Sequence, residues 1–267
     1  MEKNGVRVMG VLNVTPDSFY DGGQCVDVNT AVDRALRMIE SGATIIDIGG
    51  ESTRPGAKEV GVDEELHRVI PVVEALKDID GITLSIDTSK PRVMREAIDA
   101  GAHMINDVLA LRQPGAIAVA SDLAVPVCLM HMQGLPDNMQ AQPKYENVLS
   151  EVDRFLKERV DACLAGGIKA ENIILDPGFG FGKTLSHNMS LMKHLAKIVS
   201  IGYPVLIGVS RKSMLDAILS VDVEGRLVGS LALATLAIAQ GASIVRVHDV
   251  EETVQVVKVC HAVMSAA

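Results

Sequence analysis

Eight short apolar runs, rich in Val and Ile, recur along the chain at residues 7–12, 44–48, 82–86, 103–105, 126–130, 172–175, 204–208 and 243–247. Most are continuously apolar rather than alternating, which predicts parallel strands buried on both faces. Amphipathic patterns separate most of them and predict helices, among them 28–40, 63–76, 145–165 and 251–262. Ser89-Lys90-Pro91 predicts a further helix start, with Ser89 as the N-cap and Pro91 in the first turn. The longest apolar stretch, 227–245, is broken by Gly229, Ser230, Thr235, Gln240, Gly241 and Ser243. It reads as a buried helix followed by a strand, not a membrane span. Strand-then-helix repetition without a linker predicts one parallel α/β domain over residues 1–267. Eight units favour a closed (β/α)8 TIM barrel over a doubly wound open sheet.

Composition changes this picture in three ways. The 267 residues are 48% hydrophobic but only 3% aromatic, with no Trp, so Ala, Val, Ile, Leu, Gly and Met must fill the interior. The formal net charge of −9 argues against a general nucleic-acid binder, so an anionic ligand must be held by a few placed cations. Cys25, Cys128, Cys163 and Cys260 are scattered without a CxxC pair. They read as reduced thiols, and with no secretory signal visible at the N-terminus a cytoplasmic protein is expected.

The unusual residues follow the C-terminal ends of the strands. Asn13 to Phe19 follows the first run, Gly49 to Gly56 the second, Asp87-Thr88-Ser89 the third and Asn106-Asp107 the fourth. His131 and Gln133 follow the fifth, Asp176 to Gly182 the sixth and Ser210-Arg211-Lys212-Ser213 the seventh, while Arg246 and His248 close the eighth. In a barrel these ends converge on one mouth, where the fold builds its active sites. Capping can explain one acidic strand end; it explains eight enriched ends poorly.

Asp87 and Asp176 each end an apolar strand. Either can be an N-cap, but Ser89 is the better cap near Asp87, and Pro177 with a glycine run follows Asp176. The competing reading is a pair of carboxylates accepting N–H donors from an amidine-like ligand edge, such as that of a guanine or pterin ring. The run Gly178-Phe179-Gly180-Phe181-Gly182-Lys183-Thr184 is not a phosphate loop, because Pro177 stands where that motif needs its first Gly. Its glycines suit close approach of backbone to a planar ligand, and Lys183 at its end is expected to face solvent. Arg246, His248 and Asn13 are placed to hold a diphosphate, and the Asn13 oxygen suits Mg²⁺. His248 also reads as a capping or core histidine, and His131 is evenly balanced between site and core. Of Arg211 and Lys212, one is expected to point in, with Lys212 favoured. His67, His103, His187, His194 and His261 show no metal-ligand spacing and read as structural.

Together these motifs resemble the dihydropteroate synthase family along essentially the whole chain. They run from Leu12–Phe19, Gly49–Gly56 and Asp87–Pro91 through Met130–Gly134 and Asp176–Lys183 to Ser210–Ser213 and Arg246–Asp249. The resemblance implies a pterin-binding β/α barrel, usually homodimeric, that condenses dihydropterin pyrophosphate with para-aminobenzoate and expels pyrophosphate. It implies that Asp87, Asn106, Asp176, Lys212 and Arg246 bind the pterin. Asn13 through Mg²⁺, with Thr53, Arg54, Arg246 and His248, holds the pyrophosphate, and Phe19, Thr53, Arg54, Pro55, Phe181, Lys212 and Ser213 form the para-aminobenzoate side. Asp87, Lys212, Arg246 and His248 are the implied catalytic set. No insertion stands near Phe19, so sulfonamides are expected to inhibit. An alternative is a pterin-binding methyltransferase domain passing a methyl group from a folate to a corrinoid protein; it shares the carboxylate–Asn pocket but has no need of the diphosphate cluster.

Overall fold

A computed structural model of the chain describes residues 5–15, 28–52, 59–134, 139 and 142–266. Eight parallel strands form one sheet: β1 (Arg7–Asn13), β2 (Ile45–Gly49), β3 (Thr83–Asp87), β4 (Met104–Asp107), β5 (Val127–Met130), β6 (Ile173–Asp176), β7 (Leu206–Ile207) and β8 (Ile244–Val247). The order β6-β5-β4-β3-β2-β1-β8-β7 leaves β6 and β7 as neighbours across a seam. A bridge between Leu175 and Val205 and a 2.9 Å bond from the Leu175 N–H to the Pro204 carbonyl close it. The expected TIM barrel is therefore formed, with β7 shorter than its sequence run because only its middle pairs with β8.

Between the strands run α1 (Val28–Glu40), α2 (Val62–Leu76), α3 (Pro91–Ala100), α4 (Ala116–Leu123), α5 (Val148–Ala165), α6 (Leu185–Lys193), α7 (Leu195–Val199), α8 (Ser213–Leu219), α9 (Leu227–Ala239) and α10 (Val250–Met264). Their starts have chemical causes. The Asn147 side chain accepts from the Ser150 N–H and Glu151 returns to the Asn147 N–H, both at 3.0 Å. Thr184 and His187 make the same reciprocal pair for α6, which gives His187 the structural role expected of it. Helix α3 begins with Pro91 as expected, but its N-cap position is Lys90 with no side-chain capping bond. Ser89 is no cap; its hydroxyl donates to Asp107 instead, because the buried carboxylate is the stronger acceptor.

The strands explain their own continuous hydrophobicity. Ile46, Ile48, Ile86, Ile105, Leu129, Leu175, Ile207 and Val245 face the helices in the main core. Their neighbours Met9, Ile45, Met104, Cys128, Ile174, Leu206 and Ile244 form a separate cluster that fills the barrel. Both sets are almost fully buried. Each such aliphatic side chain contributes about 1.5–3 kcal/mol of burial. Helix α9 is not buried all round, contrary to the sequence reading. Leu233, Ala234, Ala237 and Ile238 face the barrel, while Val228 and Leu236 are 75% and 53% exposed.

Candidate functional site

Strand periodicity raises the site directly out of the barrel core. Side chains on one face of a strand recur every second residue. Two residues beyond the interior Ile45, Met104, Ile174 and Ile244 stand Asp47, Asn106, Asp176 and Arg246. Asp87 joins them from β3, paired in register with Asn106 on one side and Gly49 on the other. A plug of apolar side chains thus ends in a layer of polar ones at the mouth.

Arg246 organises this layer. Its Nε donates to Asp47 Oδ2 at 2.6 Å and a terminal nitrogen to Asp87 Oδ2 at 2.8 Å. Asn106 Nδ2 donates to the same Asp47 oxygen at 2.9 Å, so Asp47 fixes two neighbouring groups at once. Asp47 is fully buried, and its Oδ1 has no partner among the described residues. Burial pushes Asp87 up to about 7, with the Asp47 charge adding to the rise and Arg246 opposing it. Burial works against the Arg246 charge, yet the two carboxylates outweigh it and hold the guanidinium more firmly protonated than usual. Two anions around one cation leave the layer poised to accept further hydrogen-bond donors.

The loop after β6 forms the second wall. Asp176 Oδ1 accepts from the Gly178 N–H at 2.7 Å, so the carboxylate serves its own turn and caps no helix. Burial raises its pKa, against the Gly178 N–H and the cations Lys212 and Lys183. Gly178 and Gly182 are obligatory. At positive φ, a Cβ on either would lie 1.9 Å from the His131 carbonyl oxygen or 2.3 Å from that of Gln133. Lys212 points inward, as expected: its ammonium donates to the Phe179 carbonyl and lies 4.2 Å from the centre of the Phe181 ring. Burial lowers Lys212 to about 8, countered mainly by Asp176. Arg211, at φ 56°, turns the other way and binds Asp249 through two nitrogens at 3.0 and 2.6 Å.

Lys183 corrects the sequence reading. It is 3% exposed rather than solvent-facing. Gly178, Gly180 and Gly182 all take positive φ and curl the loop back, so its last side chain enters the interior. There Nζ meets the carbonyls of Gly178 at 2.8 Å and Phe181 at 3.0 Å, and His131 Nδ1 at 2.9 Å. His131 resolves toward the core: its ring packs edge-on against Phe155 at 4.9 Å, and burial with the Lys183 charge drops its pKa to about 2.

At the rim, a Cβ on Gly49 would touch both Asp87 Cβ at 3.5 Å and Asn13 Oδ1 at 3.8 Å, which places Asn13 beside Asp87. His248 is exposed and its Nδ1 lies 3.0 Å from Ser210 Oγ, tying the ends of β7 and β8. Ser213 is exposed at the start of α8. Phe19, Thr53, Arg54 and Pro55 lie outside the described residues. The base of the second loop is described: Lys90 pairs with Glu51 and, at 2.6 Å, with the buried Glu65, while Arg68 donates to the Gly50 carbonyl at 2.7 Å.

The pattern of the pterin binding enzyme family matches residues 9–248. Dihydropteroate synthase of Escherichia coli K12 is 55% identical over 260 residues, covering 97% of this chain and 92% of that protein. The chain belongs to the dihydropteroate synthase family. Family membership is matched in three dimensions by a Yersinia pestis dihydropteroate synthase in a sulfonamide complex, at TM-score 0.94, 51% identity and coverage of 98% and 95% of the two chains. A Xanthomonas albilineans dihydropteroate synthase in complex with 7,8-dihydropteroate aligns at TM-score 0.90 and 46% identity, covering 100% and 97%. These family members are synthases, which favours that reading over corrinoid methyl transfer. One residue that the motifs did not single out and one that they placed in solvent carry weight in this family member. Asp47 had a signal, a lone charge inside an apolar run and two residues beyond Ile45. The inward turn of Lys183 had none, since the left-handed backbone of Gly178, Gly180 and Gly182 is not legible from their spacing.

Proposed function

We infer that the protein joins para-aminobenzoate to a dihydropterin pyrophosphate, giving dihydropteroate and pyrophosphate. The observation that carries this reading is the mouth layer of buried Asp87, Asn106 and Asp176 with half-buried Lys212 and Arg246, on a chain of this family. Asp176 accepts the paired N–H donors of the pterin's amidine edge, Asn106 supplies both a donor and an acceptor, and Lys212 donates to a ring acceptor. Phe181 carries the para-aminobenzoate ring, with Ser213, Lys212, Phe19, Thr53, Arg54 and Pro55 completing that side. Arg246, His248, Asn13, Thr53 and Arg54 hold the diphosphate.

In the reaction the bond between the pterin methylene and the diphosphate oxygen breaks, and a C–N bond to the aryl amine forms. The amine releases one proton, which the departing diphosphate or water takes up. Arg246 and His248 stabilise charge on the leaving group. The electron-rich ring spreads the positive charge, and ionised Asp87 stabilises it. The amine is neutral and already nucleophilic, so no strong general base is needed.

Mg²⁺ is the expected metal. Among the described residues no group of three His, Cys, Asp or Glu side chains is placed to hold an ion. Asn13, beside Asp87, would hold the ion through its side-chain oxygen. When bound, Mg²⁺ would supply charge neutralisation to the diphosphate.

Exposed Val228 and Leu236 on α9, with Val259, Val263 and Met264 on α10, form adjacent apolar faces suited to a homodimer. Among the described residues no helix is long and apolar enough to cross a membrane, and Cys128, Cys163 and Cys260 are free thiols. A cytoplasmic location accords with the free thiols. The decisive test is pyrophosphate release with both substrates and Mg²⁺. Turnover that needs the aryl amine supports the reading; release without it, or none at all, overturns it. Sedimentation tests the dimer, which Val263→Asp should split.

A further inference from the structure

The substrate roles above leave one buried lysine without a direct contact to make. Lys183 is as enclosed as the core, and none of the substrate groups assigned above meets its donors at that depth. Its surroundings are specific. Nζ meets two carbonyls of the β6 loop, Gly178 at 2.8 Å and Phe181 at 3.0 Å, and reaches across to the β5 loop, where it meets His131 Nδ1 at 2.9 Å and the His131 carbonyl at 3.3 Å. The two loops are pressed backbone to backbone at this point, since a Cβ on Gly178 or Gly182 would collide with a carbonyl of the β5 loop. Carbonyl oxygens brought so close repel one another, and the Lys183 N–H donors between them convert that repulsion into a bonded centre, while burial lowers the lysine's pKa well below its usual value. Tyr145 Oη adds a bond to the Gly182 carbonyl at 2.8 Å, and Asn188 Oδ1 takes the Gly180 N–H at 2.8 Å, so the loop is pinned from behind along its length.

What this pinning fixes lies on the other side of the loop. The Phe181 carbonyl is bound to Lys183 while its ring lies beneath the Lys212 ammonium, and the Gly178 N–H holds the Asp176 carboxylate. We propose that Lys183 is a positioning residue that clasps the β5 and β6 loops through His131 and thereby sets the Phe181 ring for the aryl amine. His131 is the acceptor half of the clasp, its Nδ1 directed at Lys183 Nζ and its ring wedged against Phe155. This inference rests on the proposed reaction, with Phe181 on the amine side.

The test compares wild type, Lys183→Met, His131→Leu and His131→Asn by steady-state kinetics with both substrates, alongside circular dichroism. Wild-type turnover is measured first, so failure of the reaction reading is seen separately from failure of the clasp. Lys183→Met keeps the length of the side chain and removes every donor. We expect it to fold and to raise the KM for para-aminobenzoate by about tenfold or more, with kcat reduced by a smaller factor. His131→Leu should raise the same KM, whereas His131→Asn, whose amide oxygen sits near the Nδ1 position, should stay within about threefold of wild type. A folded Lys183→Met enzyme with wild-type KM and kcat overturns the proposal. Should that variant not fold, the His131 pair decides: equal KM values for Leu and Asn overturn it, and rescue by Asn supports it.

Discussion

Replacing Asp47 by Asn keeps the shape of the side chain and removes one of the two anions that flank Arg246. The structure sets the size of the effect. Asp47 is fully buried and accepts from Arg246 at 2.6 Å and from Asn106 at 2.9 Å, both at Oδ2. The new amide can keep one oxygen there, but its NH₂ then occupies the position of Oδ1, which has no partner among the described residues. Breaking a buried ion pair outright costs about 3–5 kcal/mol and burying an unpaired donor about 1–3. Arg246 keeps Asp87, and relief of the Asp47–Asp87 repulsion offsets part of the loss, so a net cost of about 2 kcal/mol is expected. For a chain of this size that lowers the melting temperature by roughly 4–8 °C. The kinetic signature is more specific. Asp87 is raised to about 7 by burial and then by Asp47, against Arg246. The reaction needs Asp87 ionised, so activity should fall as pH drops through about 7. Removing the Asp47 charge removes a cause of the rise, so the acid limb of kcat/KM should move to lower pH. The same shift bears on stability with the opposite slope. A carboxyl whose folded pKa lies above its unfolded value favours the folded state at low pH, and that contribution is lost as pH rises between the ordinary aspartate value of 3.8 and about 7. Paired pH–rate profiles and melts at several pH values report both. An acid limb that stays put or moves upward would refute the account of Asp87, whatever the melt shows.

Three further outcomes are expected. Asp176→Asn should fold normally yet lose pterin binding by about a hundredfold or more in calorimetry, since its amide sets N–H against N–H at the amidine edge. Gly178→Ala should lower stability by roughly 3–5 kcal/mol in denaturant unfolding, because φ is +67° and the new Cβ would lie 1.9 Å from the His131 carbonyl oxygen. Para-aminobenzoate, and sulfonamides competing with it, should bind more tightly once Mg²⁺ and pyrophosphate are present, by about 1–3 kcal/mol in paired titrations, through the loops that carry Phe19, Thr53 and Arg54; equal affinities would show a second site already formed without them.

Much of this architecture is legible in the chain because the barrel turns periodicity into position. Ile45 then Asp47, Met104 then Asn106, and Ile174 then Asp176 each read as an interior apolar residue followed, one repeat later, by a polar one at the mouth. The orientation of Lys212 was legible for a related reason, since of two adjacent cations only one can face inward. What escaped depends on contacts between distant loops. Lys183 turns inward only because Gly178, Gly180 and Gly182 all adopt left-handed backbone, and spacing does not encode φ. Ser89 is the expected cap, yet it stands one residue before the N-cap position and is drawn to Asp107, a residue 18 positions away that only the fold brings near.

The seam between β6 and β7 has a mechanical consequence. The sheet is continuous everywhere except here, where one bridge at Leu175 and Val205 holds the cylinder shut. Asp176 lies at one lip of this gap and Lys212 just beyond the other. A ligand gripped by both works as a splint across the weakest joint of the barrel, and part of its binding free energy must resist the opening of the seam. Amide exchange at Leu175, whose N–H bonds across the seam, should then slow more on pterin binding than exchange at Ile46 or Ile105, which lie in uninterrupted ladder. Uniform protection across these three amides would mean that the seam does not open on its own.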